Sequence, residues 1–224
     1  PEMTIRRKPV QLSSLTTPAL LLDQERLDRN IQNMDRKISS LSSRLRPHLK
    51  TCKSQAVAER ILKPGEGGVT VSTLKEAEYF LEQGYTDILY AVSIIPGKLQ
   101  QVKRLQDQGA MITLLLDTAE AALLVSETAT RLNTEFPCLI EIDCDGKRAG
   151  LKPGNSAILD VANLLQDWPS HPGLYCLRCC VAPPTAVPDV AIMSQTSLSS
   201  VVVHSRNIRR CSLRTCSERY SLRA

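Results

Sequence analysis

The chain has 224 residues, 42% of them hydrophobic, with 28 Lys and Arg against 23 Asp and Glu for a formal net charge of +5. Such a length and apolar content can bury a core, which excludes a wholly disordered chain, and no apolar run approaches the ~20 residues that cross a bilayer. The excess charge sits in residues 176–224, with seven Arg, no Lys, one Asp and one Glu, so residues 1–175 balance and carry no basic footprint for nucleic acid.

The opening residues carry basic side chains with no apolar segment behind them, which is not a secretory signal, and a soluble cytoplasmic protein is the expectation. The first residue is Pro1, not Met, so an initiator or a longer leader is expected to precede it. A polar extension over residues 1–15 leads to a short apolar strand at 19–23, whose Asp23 is placed to cap a helix. Leu27, Ile31, Met34, Ile38 and Leu41 recur at steps of three and four, which predicts an amphipathic helix to about residue 42.

The next segment, Arg44 to Ser54, has a strand period that places Arg44, Arg46, His48 and Lys50 on one face and Leu45, Pro47 and Leu49 on the other. Two readings follow from the residues alone. One is a solvated edge strand. The other is a strand whose cationic side lines an anion pocket, where neighbouring positive charge favours the free amine of Lys50 that Schiff-base chemistry needs. Ser54 then caps a short helix that ends at the glycines 65–68.

The alternation repeats along the chain: strands at 69–72, 87–92, 111–116, 137–142 and 173–177, with helices at 74–83, 98–108, 119–132 and 156–165. Near-continuous apolar strands separated by helices predict a parallel sheet covered by helices. Units of 22–30 residues favour an α/β barrel of the eight-fold, TIM type over a three-layer sheet. Lys50, Asp117, Asp143 and the loop 145–150 then fall at the carboxyl ends of strands, where such barrels place their chemistry.

Cys52, Cys138 and Cys144 are scattered through the body, which fits free thiols in a reducing compartment. Cys176 and Cys179 have the spacing of half a zinc site, but a matching second pair is absent, and no metal ligand is assigned.

Five segments, residues 17–31, 46–54, 69–78, 86–92 and 139–151, with Pro47-His48-x-Lys50-Thr51-x-Lys53 at their centre, resemble the amino-terminal barrel of the D-threonine aldolase and metal-activated D-serine dehydratase group. These are fold-type III enzymes related to alanine racemase, and the resemblance covers residues 16–177. It implies pyridoxal 5'-phosphate (PLP) as cofactor, Lys50 as the lysine that holds it in a Schiff base, and Arg148 as the cation beside the phenolic oxygen of the ring. It also implies a small D-amino acid as substrate, with no nucleic-acid or membrane partner, and a divalent metal in a carboxyl-terminal domain whose site is absent from this sequence. His48 and Thr51 match motif positions and are expected to support the Lys50 strand. Cys52 stands where many members have histidine. Lys53 is read as a solvated or phosphate-side charge.

By that resemblance the chain is a partial barrel of about six strands of eight, followed by a Ser-, Arg- and Cys-rich tail over 178–224 that is disordered or out of frame. Three functions stay open: a lyase acting on D-hydroxy amino acids, impaired in this truncated chain; a non-catalytic PLP-binding homeostasis protein; and a truncated product without function. Two open sheet edges that the tail is not expected to cover would favour homodimerisation or non-specific self-association.

Overall fold

The computed structural model describes residues 11–41, 44–143, 149–166, 175–179 and 201–204. Helix α1, Gln24–Ser39, is capped by Asp23, whose carboxylate accepts the Arg26 N–H at 3.0 Å. The apolar stripe turns Leu27 and Ile38 into the protein. The helix stops short of residue 42, where the Leu41 N–H folds back onto the Ile38 carbonyl at 3.0 Å. Residues 19–22 do not form the expected strand. Leu20, Leu21 and Leu22 are exposed, and no described strand lies beside them, so an apolar run of strand-like composition has no ladder to join.

Six strands run parallel: β1 Arg44–Pro47, β2 Val69–Val71, β3 Asp87–Ser93, β4 Met111–Leu116, β5 Cys138–Asp143 and β6 Tyr175–Cys179. Between them lie α2 Gln55–Ile61, α3 Leu74–Glu82, α4 Leu99–Asp107, α5 Ala119–Leu132 and α6 Ala157–Gln166. From β2 onward each strand pairs with the next in sequence, and β1 reaches β2 through the His48–Thr70 bridge and the Leu49 N–H to Thr70 carbonyl bond at 2.9 Å. A doubly wound sheet reverses its order at a switch point. This one does not reverse, which is the winding of an eight-fold barrel.

Side-chain alternation divides the sheet into two faces. Val69, Val71, Ile88, Tyr90, Ile112, Leu114, Cys138 and Ile140 pack outward against Phe80, Val102, Val125 and Val161 of the helices. Leu89, Leu115 and Leu139 form a separate small cluster on the inner face. Caps fix the starts of α3 and α5, where the Thr73 and Thr118 hydroxyls accept the N–H groups of Glu76 and Ala121 at 3.0 and 3.1 Å, whereas Ser54, expected to cap α2, makes no side-chain cap bond there. Gly84, at φ +88°, ends α3 in the left-handed region that glycine adopts without penalty.

One strand was not expected. β7, Val201–His204, pairs antiparallel with β1, Arg44 facing His204 and Pro47 facing Val201. A β-branched run finds unpaired amides and carbonyls on the outer edge of β1 and covers them. The other residues of the tail beyond Cys179 lie outside the described residues.

Candidate active site

Lys50 sits immediately beyond β1, in a turn that begins at Leu49. The turn closes through the Lys53 N–H, which donates to the Leu49 carbonyl at 2.9 Å, and Lys53 itself has φ +42°. Leu49 is buried in the outer core and anchors the turn, while Lys50 is half-buried. Lys53, Lys75, Lys98 and Lys103 each have an acidic or phenolic partner in Glu76, Glu78, Tyr90 and Asp107. Lys50 makes no ion pair among the described residues.

The basic face expected from the strand period is not a free cationic surface. Arg44 is exposed, whereas Arg46 turns inward and its Nη2 bonds Asp87 Oδ2 at 2.7 Å. Gly68 makes room for this pair, because a Cβ there would overlap the Arg46 guanidinium. His48 is buried, 5% exposed. Its Nδ1 accepts the Lys50 N–H at 3.4 Å and its Nε2 meets the Ser72 hydroxyl at 3.3 Å. Burial first, and the Lys50 charge second, push the imidazole down to about 4, against the pull of Glu76. The ring is therefore neutral at pH 7, and with Nδ1 accepting, its proton belongs on Nε2, pointing at Ser72. So of the four cations assigned to this face, one is paired, one is neutral and one faces water.

Ser72 belongs to the turn after β2, and its N–H donates to Glu76 Oε2 at 2.8 Å. The Glu76 Oε1 pairs with Lys53 Nζ at 3.2 Å, so Lys53 is neither free nor poised over a pocket. Cys52 lies half-buried in the same turn and its thiol donates to the Leu49 carbonyl at 3.5 Å, where a histidine would have to fit against apolar neighbours. Further along the strand ends, the Ser93 hydroxyl donates to Asp117 Oδ1 at 3.3 Å, and Asp143 is buried at the end of β5. Thr70, on the inner face beside His48, has a buried hydroxyl with no hydrogen-bond partner among the described residues.

Arg148 lies outside the described residues, but the base of its loop is defined. Gly150, at φ +108°, lies so close to β5 that a Cβ would come within 2.8 Å of the Asp143 nitrogen and 2.9 Å of the Glu141 carbonyl. Leu151 then bridges to Ile142, which returns the loop across the end of β5. The residues not foreseen from the pattern are Ser72, Thr70 and Glu76. Only Glu76 had a local signal, the Thr73-x-x-Glu76 spacing of a helix start.

Among the described residues no group of three His, Cys, Asp or Glu side chains converges on a metal position. A cleft of about 90 Å³ lies under the Lys50 turn, between Leu27, Met34, Pro47, Cys52 and Ile61, and its lining is apolar. No described helix is long and apolar enough to cross a membrane.

PLP asks for a lysine amine at its aldehyde, cations or amides at its phosphate and a donor at its phenolic oxygen. The described residues fit the first of these: a half-buried amine at a barrel strand end with no ion pair among the described residues.

A family model described as alanine racemase, N-terminal domain, matches residues 22–186. The D-threo-3-hydroxyaspartate dehydratase of Delftia sp. (strain HT23) is 42% identical over 148 residues, 66% of this chain and 39% of that protein. The 3-hydroxy-D-aspartate aldolase of Paracoccus denitrificans (strain Pd 1222) is 32% identical over 154 residues, 67% of this chain and 39% of that protein. Among solved structures, the Delftia dehydratase superposes with a TM-score of 0.68 at 39% identity, over 73% of this chain and 44% of that one. The D-threonine aldolase of Filomicrobium marinum gives 0.64 at 30% identity, over the same shares of the two chains. This chain spans about two fifths of the length of the curated relatives it matches.

Proposed function

Since the chain belongs to the alanine racemase N-terminal domain family of fold-type III PLP enzymes, we propose that the protein carrying it is a PLP-dependent lyase acting on a D-3-hydroxy amino acid, with the Lys50 amine as its cofactor attachment. The observation that carries this reading is Lys50 itself: a half-buried amine, unpaired among the described residues, held at a barrel strand end by the His48 ring. When bound, PLP supplies an electron sink for the bond that breaks at the substrate Cα. The residues of this chain do the rest. Lys50 Nζ, released when the substrate amine takes its place, is the base or acid on its own face. His48 takes no proton at neutral pH, because burial holds it neutral and its Nδ1 is occupied by the Lys50 amide. Arg148 is assigned to the phenolic oxygen on the strength of the family motif, with Gly150 setting the end of its loop against β5.

The named relatives direct the substrate choice toward a 3-hydroxy-D-aspartate. Dehydration of that compound leaves oxaloacetate and ammonia, whereas cleavage between Cα and Cβ leaves glycine and glyoxylate. For the 224 residues alone we expect cofactor attachment with turnover below about 1 per second, because the family resemblance puts the metal that handles the β-hydroxyl in a further domain. A non-catalytic PLP-binding role is the second reading, since the same half-buried Lys50 amine would serve it equally.

The test is to load the chain with PLP, reduce it with borohydride and map the modified residue, then supply D-threo-3-hydroxyaspartate with a divalent metal. A Lys50 adduct with oxaloacetate or glyoxylate release supports the lyase. A Lys50 adduct with neither product, even at the slow turnover expected of these 224 residues, supports the binding protein, and an adduct elsewhere overturns both.

A further inference from the structure

Glu76 touches both turns that carry the site. It is 8% exposed and sits in the first turn of α3, where its N–H donates to the Thr73 hydroxyl at 3.0 Å. Its Oε2 accepts the Ser72 N–H at 2.8 Å, and its Oε1 pairs with Lys53 Nζ at 3.2 Å. Lys53 has φ +42°, a left-handed conformation that a lysine adopts only when something holds it there. Lys53 also returns to the Leu49 carbonyl, so Lys50 lies inside the loop that the pair closes. From Ser72 the chain of contacts runs through His48 back to the Lys50 amide. Lys50, His48, Ser72, Glu76 and Lys53 thus form a closed ring across the ends of β1 and β2.

We propose that Glu76 is a positioning residue for Lys50: its carboxylate clips the turn after β1 to the turn after β2, and the Lys53–Glu76 ion pair holds the lysine amine in the place where it receives the cofactor. This rests on the reading of Lys50 as the cofactor lysine. Helix capping alone would ask only for an acceptor of the Ser72 N–H, which a glutamine supplies as well. The clip asks for the negative charge.

The experiment uses the full 224-residue chain with the variants Glu76→Gln, Lys53→Met and Lys53→Arg. Two readouts are taken: amide hydrogen exchange over residues 49–53 without cofactor, and the rate of borohydride-trapped PLP attachment at Lys50. The inference expects Glu76→Gln and Lys53→Met each to speed exchange in that turn and to slow attachment by about five-fold, the equivalent of one partly exposed ion pair, with β3 and β4 exchanging as before. The double variant is expected to be no worse than either single one, and Lys53→Arg to behave as the parent chain. Should Glu76→Gln fail to fold, Lys53→Met decides, since Lys53 is largely exposed. Unchanged exchange and unchanged attachment would overturn the clip, as would faster exchange spread evenly over the whole sheet. Faster exchange in the turn of a chain whose parent takes PLP at another lysine would keep the clip and remove the Lys50 assignment.

Discussion

The backbone N–H of Lys50 is held by the ring of His48, 3.4 Å from Nδ1, and that ring is neutral because it is buried. The basic motif at the centre of this chain therefore contains a histidine whose use is to accept, not to carry charge. A protonated imidazole would lose the acceptor and put a second cation beside the Lys50 amine.

This gives a pH dependence. The His48 midpoint drops from 6.5 to about 4 on folding, so between those values the unfolded chain binds the additional proton and stability rises with pH. Fully expressed above pH 6.5, the effect amounts to about 3 kcal/mol and is lost as pH falls to 4. Urea unfolding at several pH values should show that slope in the parent chain and a shallower one in His48→Gln. Equal slopes in the two chains would contradict it.

Thr70 offers a second check. Its hydroxyl is buried without a partner among the described residues, so removing it from the cofactor-free chain with Thr70→Val should leave stability unchanged or raise it by about 1 kcal/mol. If the hydroxyl is kept for a ligand, PLP attachment should weaken in the same variant. A variant that is less stable and binds PLP as before would show that the hydroxyl serves the fold.

Within β1, Arg46 sends its guanidinium across Gly68 to Asp87 at the start of β3. Gly68→Ala should cost about 1–3 kcal/mol by displacing that group from its partner. The cost should shrink when Arg46 is already Ala, which a thermal-unfolding cycle of the two substitutions measures. Additive effects would mean that the Cβ clashes with something other than the guanidinium.

The alternation of strands and helices was legible because strands buried on both faces are written as apolar runs such as Leu114–Leu116, and because Asp23 marks a helix start through local chemistry. Residues 19–22 misled for the same reason. Leu20, Leu21 and Leu22 have strand composition, but a strand is a relation to a neighbour, which no local pattern supplies. The same limit hid β7, whose partner β1 lies far back in the chain. At the site, the position of Lys50 beyond a strand end could be read from the pattern. That Arg46 is answered by Asp87, His48 by Ser72 and Lys53 by Glu76 could not, because those pairs join residues brought together by the stacking of separate β/α units.

The assignment of Lys50 as the cofactor lysine is tested most directly by reducing the PLP-loaded chain with borohydride and mapping the pyridoxyl group by mass spectrometry, in the parent chain and in Lys50→Ala. The expected result is one modified peptide, containing Lys50, and loss of the reducible absorbance in the variant while its far-ultraviolet circular dichroism is unchanged. A pyridoxyl group on Lys53 or Lys147, or absorbance retained in a folded Lys50→Ala chain, would contradict it.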